Sequence, residues 1–203
     1  MIVAKLGGSL AQGDALPRWL RALERGGGCC VVVPGGGVFA DAVRAEQRRH
    51  RFSDGAAHRM ALLAMELYAL MLADLAPSLV PCRTLPEMRD ALGAGATPVW
   101  LPSAMALGDP AMAESWDVTS DSLACWLAEE LCARRLVLVK SAEPPGNDRR
   151  AEALAKAGYV DAAFPGFLKR FRGGAACIAA ADHAAAEAAI AAGRDFGVPI
   201  EPA

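Results

Sequence analysis

The stretch Ile2-Val3-Ala4-Lys5-Leu6-Gly7-Gly8-Ser9 decides how the chain is read. Ile2–Leu6 is a short apolar run that stops at two glycines, which is how a strand entering a tight loop looks in sequence. The same pattern returns at Cys29-Cys30-Val31-Val32-Val33-Pro34-Gly35-Gly36-Gly37. That β-branched run shows no polar alternation, which suits a strand buried on both faces, as in a parallel sheet. Between the two lies Ala15–Arg25, an amphipathic helical pattern with Asp14 placed to cap it and Gly26-Gly27-Gly28 to end it.

Working outward, a helix runs to about residue 49, and Asp54 is placed to cap a long helix over 55–74. Strands are predicted at 98–101 and 136–139, the second ending at Lys140. Helices are predicted at 119–134, 151–157 and 182–192, a helical turn at 167–172, a short extended element at 159–160 and a strand at 177–180. Residues 141–149 form a polar loop, and 77–95 supports strand and helix alike. Alternating strands and helices, with no linker or repeat in 203 residues, predict one α/β domain. The expected architecture is a three-layer αβα sandwich around a mainly parallel central sheet.

The formal charge of −2 gives no reason to expect nucleic acid or a membrane surface as partner. The apolar runs are broken by charge or glycine short of the roughly 20 residues a membrane span needs. The N-terminus lacks the pattern of a signal peptide. Six cysteines without a CxxC pair, beside three histidines, argue against a structural zinc site. They read as buried free thiols in a reducing cytoplasm. Only four of the 21 basic residues are lysines, and two of them, Lys5 and Lys140, stand at strand ends.

In an open parallel sheet, ligands bind beyond the carboxyl ends of the strands. Lys5 with Gly7-Gly8-Ser9, then Gly35-Gly36-Gly37, then Lys140-Ser141 would converge there. Glycine lets main-chain N–H groups approach a phosphate, a following helix adds its N-terminal partial charge, and a lysine supplies the mobile charge of phosphoryl transfer. Each glycine cluster alone is also compatible with a plain tight turn. Gly35-x-Gly37-x-x-Ala40 also fits a dinucleotide loop, but Asp54, the nearest acidic residue at the required distance, precedes a helix and not a strand end. Within Trp116-Asp117-Val118-Thr119-Ser120-Asp121-Ser122, Thr119 or Ser120 can cap the next helix. A carboxylate from Asp121 or Asp117 facing two lysines would orient them and keep them charged. His58 is a candidate acceptor contact or a structural histidine.

Lys5-x-Gly7-Gly8-Ser9, Val33-Pro34-Gly35-Gly36-Gly37 and Thr119-Ser120-Asp121-Ser122-Leu123-Ala124 resemble, in order and spacing, the amino acid kinase superfamily across about residues 1–140. The resemblance implies an ATP-dependent kinase with acceptor and ATP over the carboxyl edge of the sheet, Mg²⁺ held chiefly by ATP and water, and a homo-oligomer. It implies that Lys5 binds the transferred phosphoryl group, that Gly7 and Gly8 donate N–H bonds to it, that Gly35, Gly36 and Gly37 bind the acceptor, and that Asp121 holds the lysines. Residues 1–135 would then form the acceptor and phosphoryl part, and 136–203 a shortened nucleotide part containing Ser141. Lys140 or Lys169 would be the second lysine, Lys169 reading equally as part of a solvated basic helix. Trp116–Asp121, Val139-Lys140-Ser141 and Ala57-His58-Arg59-Met60-Ala61 look most like the aminomethylfuran phosphate kinase branch, whose acceptor is a phosphate monoester. The alternatives are a non-catalytic nucleotide-binding regulator or storage subunit on the same fold and, from the dinucleotide-loop pattern, an NAD-type oxidoreductase.

Overall fold

The central sheet is built on the two strands that open the sequence. In the computed structural model, which describes residues 1–202, β1 is Ile2–Leu6 and β2 is Cys30–Pro34, with α1 (Ala15–Arg25) between them. Then come α2 (Gly37–His50), α3 (Asp54–Leu75), β3 (Leu79–Cys82), α4 (Leu85–Gly93), β4 (Thr97–Trp100), α5 (Ser103–Ala106), α6 (Ser120–Glu130) and β5 (Arg135–Lys140). The chain closes with α7 (Ala151–Lys156), α8 (Phe164–Leu168), β6 (Gly174–Ala179), α9 (His183–Ala191) and β7 (Val198–Ile200). The seven strands lie in the order β3-β4-β2-β1-β5-β6-β7, all parallel except the β6–β7 pair. Helices cover both faces, so the three-layer αβα sandwich expected from sequence is the fold.

The pleat decides where the chemistry goes. Successive side chains of a strand point to opposite faces. On β1, Ile2, Ala4 and Leu6 enter the core formed with α1, α9 and the Tyr68–Leu72 part of α3. Val3 enters the opposite core, with α6 and α8. Lys5 shares the parity of Val3. On β5, Leu136 and Leu138 belong to that same second core, and Lys140 follows at the next even position. The β1–β5 register pairs Lys5 with Leu138. Alternation and register alone therefore put both lysines on the α6 side of the sheet at its carboxyl edge.

Several sequence expectations shift. Asp14 stands at the N-cap of α1 without a capping hydrogen bond. Ser53, not Asp54, caps α3, its hydroxyl accepting from the Ala56 amide. α6 stops at Glu130, four residues early, because Cys132 adopts a left-handed φ of 51° and the Ala133 amide turns back to the Ala128 carbonyl. A non-glycine residue in that position leaves no sequence signal. Residues 159–160 form a bend and not a strand, and the helical turn near 167 begins earlier, at Phe164, with Pro165 in its first turn. The ambiguous 77–95 resolves into edge strand β3, where Pro81 is tolerated, and α4 capped by the Thr84 hydroxyl. α2 runs straight into α3 with no strand between them, so the dinucleotide arrangement is absent. By length and composition α3 is long and apolar enough to cross a membrane. It packs Ala57, His58, Leu62, Met65, Tyr68 and Leu72 into the protein and is a core helix.

The two glycine loops pack backbone on backbone. A Cβ on Gly8 would strike the Gly37 amide nitrogen, and one on Gly35 would lie 2.5 Å from the Gly8 nitrogen. Gly37 has φ 51° and lies against the Tyr68 ring. Gly8→Ala should therefore cost about 1–3 kcal/mol of stability, whereas Gly13→Ala, where a Cβ meets nothing within 4 Å, should be close to neutral. Urea denaturation of the two variants side by side checks this.

Candidate active site

One carboxylate organises the site. Asp121, 4% exposed, sits in the first turn of α6. Lys5 Nζ lies 2.9 Å from its Oδ1, and Lys140 Nζ donates to its Oδ2 at 2.6 Å. Two cations around one anion leave this cluster with a net positive charge. Burial alone would raise the Asp121 carboxyl, but Lys5 and Lys140 outweigh it and hold the group below its ordinary value. Lys140 is lowered, first by burial and then by Lys5, against the pull of Asp121. Its Nζ also lies 5.3 Å from the centre of the Tyr159 ring.

The glycine loops border this cluster. The amide of Gly7 donates to the Val139 carbonyl and that of Gly35 to the Leu6 carbonyl. These two N–H groups are thus committed to extending the β1–β5 and β1–β2 ladders, and the loop donors free to meet a ligand are those of Gly8, Gly36 and Gly37. Gly36 and Gly37 open α2, whose N-terminus has no side-chain cap, so its first amides and partial positive charge face outward.

Beside the loops lies a cavity of about 240 Å³ between the starts of α2 and α6 and the inner face of α3. Its floor is Gly8, Ser9 and Gly35-Gly36-Gly37, and its apolar wall includes Leu62 and Met65. Lys5, Asp121 and Lys140 are not among its lining residues. Arg44 and Asp41 form an ion pair at 3.2 Å on its rim. The Arg44 guanidinium lies 4.2 Å above the Trp116 ring, and Trp116 Nε1 donates to Gln47 Oε1 at 2.6 Å. His58 is buried, its Nε2 is without a hydrogen-bond partner, and burial lowers its pKa. An unsatisfied imidazole nitrogen on a cavity wall is poised for a polar ligand.

The other candidates fall differently. Thr119 lines the cavity, but its hydroxyl donates to Asp161 Oδ2 at 2.9 Å and caps nothing. Asp117 is exposed, and the carboxylate paired with Lys5 and Lys140 is that of Asp121 instead. Ser141 is exposed at the start of the loop after β5. Lys169 pairs with Glu152 at 3.0 Å and is half exposed, so of the two candidate second lysines Lys140 is the one brought to Asp121. Sequence reasoning missed Arg44, Trp116 and Asp161. Arg44 was hidden in an arginine-rich helix, and Asp161 is a lone acid in a segment without a motif. Among the described residues no group of three His, Cys, Asp or Glu could hold a metal ion. All six cysteines are free, and burial pushes Cys30 and Cys125 up to about 12.

The model of the amino acid kinase family matches residues 1–144. The chain belongs to this family. A curated relative, [5-(aminomethyl)furan-3-yl]methyl phosphate kinase from Methanocaldococcus jannaschii, is 29% identical over 185 residues, covering 85% of this chain and 84% of the relative. Solved kinase structures share the fold. Uridylate kinase from Archaeoglobus fulgidus superposes with a TM-score of 0.71 at 17% identity, covering 98% of this chain and 99% of that one. UMP kinase from Bacillus anthracis does so with a TM-score of 0.69 at 15% identity, covering 99% and 95%. An isopentenyl phosphate kinase structure gives 0.64 at 18% identity, covering 98% and 100%.

The central ion cluster makes a signed prediction. A carboxyl whose folded pKa lies below its unfolded value of 3.8 contributes stability that is present above that value and lost as pH falls through the folded pKa. Asp121→Asn, which strands two buried lysines, should cost about 3–5 kcal/mol at pH 7. The gap to wild type should narrow at pH 3, below the unfolded value of 3.8, because there the unfolded chain's carboxyl takes up a proton that the folded one resists. Urea unfolding at the two pH values measures it.

Proposed function

We propose that this chain is an ATP-dependent kinase that transfers the γ-phosphoryl group of ATP to a phosphate monoester, yielding a diphosphate and ADP. The observation that carries this reading is the buried Asp121 bridging Lys5 and Lys140 at the carboxyl edge of a parallel sheet, next to two glycine loops with free amides. Phosphoryl transfer needs little covalent chemistry from a protein. It needs positioning and positive charge around the moving group. An acceptor oxygen would attack the γ-phosphorus in line while the bond to the β–γ bridging oxygen breaks. Lys5, Lys140 and the Gly8 amide would balance the charge on the equatorial oxygens. Mg²⁺ would arrive bound to ATP and keep most of its other ligands as water.

The acceptor would occupy the cavity. The α2 N-terminus, Arg44 and His58 suit a phosphate, Leu62 and Met65 suit an apolar ring, and Asp41 suits an amine. That combination matches an aminomethylfuran phosphate, the acceptor named for the Methanocaldococcus jannaschii relative, and so supports a place in one-carbon cofactor synthesis. The nucleotide would lie on the β5 side, past Ser141 and within the 136–203 part. Lys169, tied to Glu152, is a poorer candidate for it. Free cysteines and the core placement of α3 support a soluble cytoplasmic enzyme.

We also infer a homo-oligomer. On α3, Met60, Leu63, Leu67 and Leu70 are 40–52% exposed and follow a 3-4-3 spacing on the outer face. The stripe is symmetric about position 65, so an antiparallel two-fold would set Met60 on Leu70 and Leu63 on Leu67 of a second copy. Leu67→Arg should convert the oligomer to monomer, with light scattering as the readout. A wild-type chain that is monomeric at tens of micromolar would sink the inference.

The activity is tested by ADP release from Mg·ATP against carboxylates, nucleoside monophosphates and small phosphate monoesters. Turnover is expected with a phosphate monoester and not with carboxylates. Lys5→Met should lower kcat at least about 100-fold with the circular dichroism spectrum unchanged. ATP binding without turnover on any acceptor would point instead to the non-catalytic regulator.

A further inference from the structure

The family match ends at residue 144, yet the segment beyond it reaches back to the centre of the site. Asp161 lies in the turn before α8 and accepts hydrogen bonds from four donors of the α6 entrance. The Thr119 amide donates to Oδ2 at 3.0 Å, the Thr119 hydroxyl at 2.9 Å and the Ser122 amide at 2.9 Å, and the Ser122 hydroxyl donates to Oδ1. The Phe164 amide adds a fifth donor at 2.9 Å, from the first turn of α8. The neighbouring Ala163 amide donates to the Asp117 carbonyl at 3.0 Å. One carboxylate thus caps two helices at once and fills its lone pairs doing so.

Among the described residues, the α6 entrance has no side-chain cap of its own. Thr119 occupies the N-cap position without a capping bond of its own. Asp161 therefore performs the capping from a distant part of the chain. Asp121 is flanked by Ser120 and Ser122, so the turn that Asp161 grips is the turn that aims Asp121 at Lys5 and Lys140.

We propose that Asp161 is a positioning residue for phosphoryl transfer, one that fixes the entrance of α6 and thereby sets where Asp121 and its two lysines stand. This rests on the kinase reading above. The carboxylate also adds a negative charge near Lys140. The groups facing Lys140 are Asp121 from α6, Lys5 from β1, the Cys177 thiol from β6, Asp161 and the Tyr159 ring. Burial and Lys5 push Lys140 down, while Asp121 and Asp161 oppose them. Burial and the nearby Asp121 push Asp161 up, which its N–H and O–H donors counter. Removing the Asp161 charge should lower Lys140 further, so that its proton is lost at a lower pH.

The test uses Asp161→Asn in the full chain. With only four lysines, the side-chain ¹⁵Nζ signals can be assigned and titrated individually by NMR. Lys140 should lose its proton at lower pH than in wild type, with Lys156 and Lys169 unmoved. In the ADP-release assay kcat should fall about 10- to 100-fold, the scale of a small misplacement at a reacting centre, with KM for ATP within about two-fold. Lost turnover with an unmoved Lys140 would reduce Asp161 to a structural role, and full turnover in the folded variant would overturn the proposal. If Asp161→Asn fails to fold, Ser122→Ala removes one buried donor and keeps the charge. It should lower kcat several-fold, and unchanged kcat there would overturn the proposal too. A wild-type chain without turnover would count against the kinase reading alone, and the lysine titration would then decide whether Asp161 governs the lysine pair.

Discussion

A buried carboxylate between two buried lysines is the constraint around which this structure is arranged. None of the three charges could be left alone in the interior, because an unpaired buried ion costs several kcal/mol. Together they neutralise most of one another and keep one positive charge in hand. Holding them requires two adjacent parallel strands of matching parity and a helix whose first turn lies across their ends. β1, β5 and α6 meet that requirement, and the rest of the sheet holds those three in place.

The glycine loops follow from the same demand. The chain leaving β1 and the chain leaving β2 both turn sharply beside the lysines and pack against each other without side chains. Gly8 and Gly37 meet backbone to backbone. Gly7 and Gly35 use their amides to finish the ladders, which holds the loops rigid while the amides of Gly8, Gly36 and Gly37 stay available. α3 serves both sides of this arrangement. Its inner face gives the cavity His58, Leu62 and Met65, its Tyr68 supports Gly37, and its outer face carries an apolar stripe.

The last third of the chain, where the family pattern fades, is tied to the site through polar contacts. Asp161 grips Thr119 and Ser122, Ala163 grips the Asp117 carbonyl, and the Tyr159 hydroxyl donates to the Ala142 carbonyl at 3.1 Å beside Lys140. These bonds join the loop after β5, the turn before α8 and the entrance of α6 into one polar layer. The segment beyond residue 144 is thus joined to the Asp121 cluster.

The sequence by itself determined the strands β1, β2 and β5, the sandwich they imply, and Lys5, Asp121, Lys140 and the two glycine clusters as residues gathered at one edge of the sheet. Those features are local. Apolar runs, glycine after a strand and an acid opening a helix can be read within a few neighbouring positions. Even the side of the sheet that Lys5 and Lys140 occupy follows from alternation once the strands are placed. What only the tertiary structure decided is which distant groups meet. Lys140 rather than Lys169 reaches Asp121, Asp117 turns to solvent, Arg44 stacks on Trp116, and Asp161 caps a helix that begins some forty residues earlier in the chain. A hydrogen bond across that separation leaves no periodicity to read. Its energy depends on where the folded backbone delivers the donors, and that is fixed by the packing of the sheet and its helices.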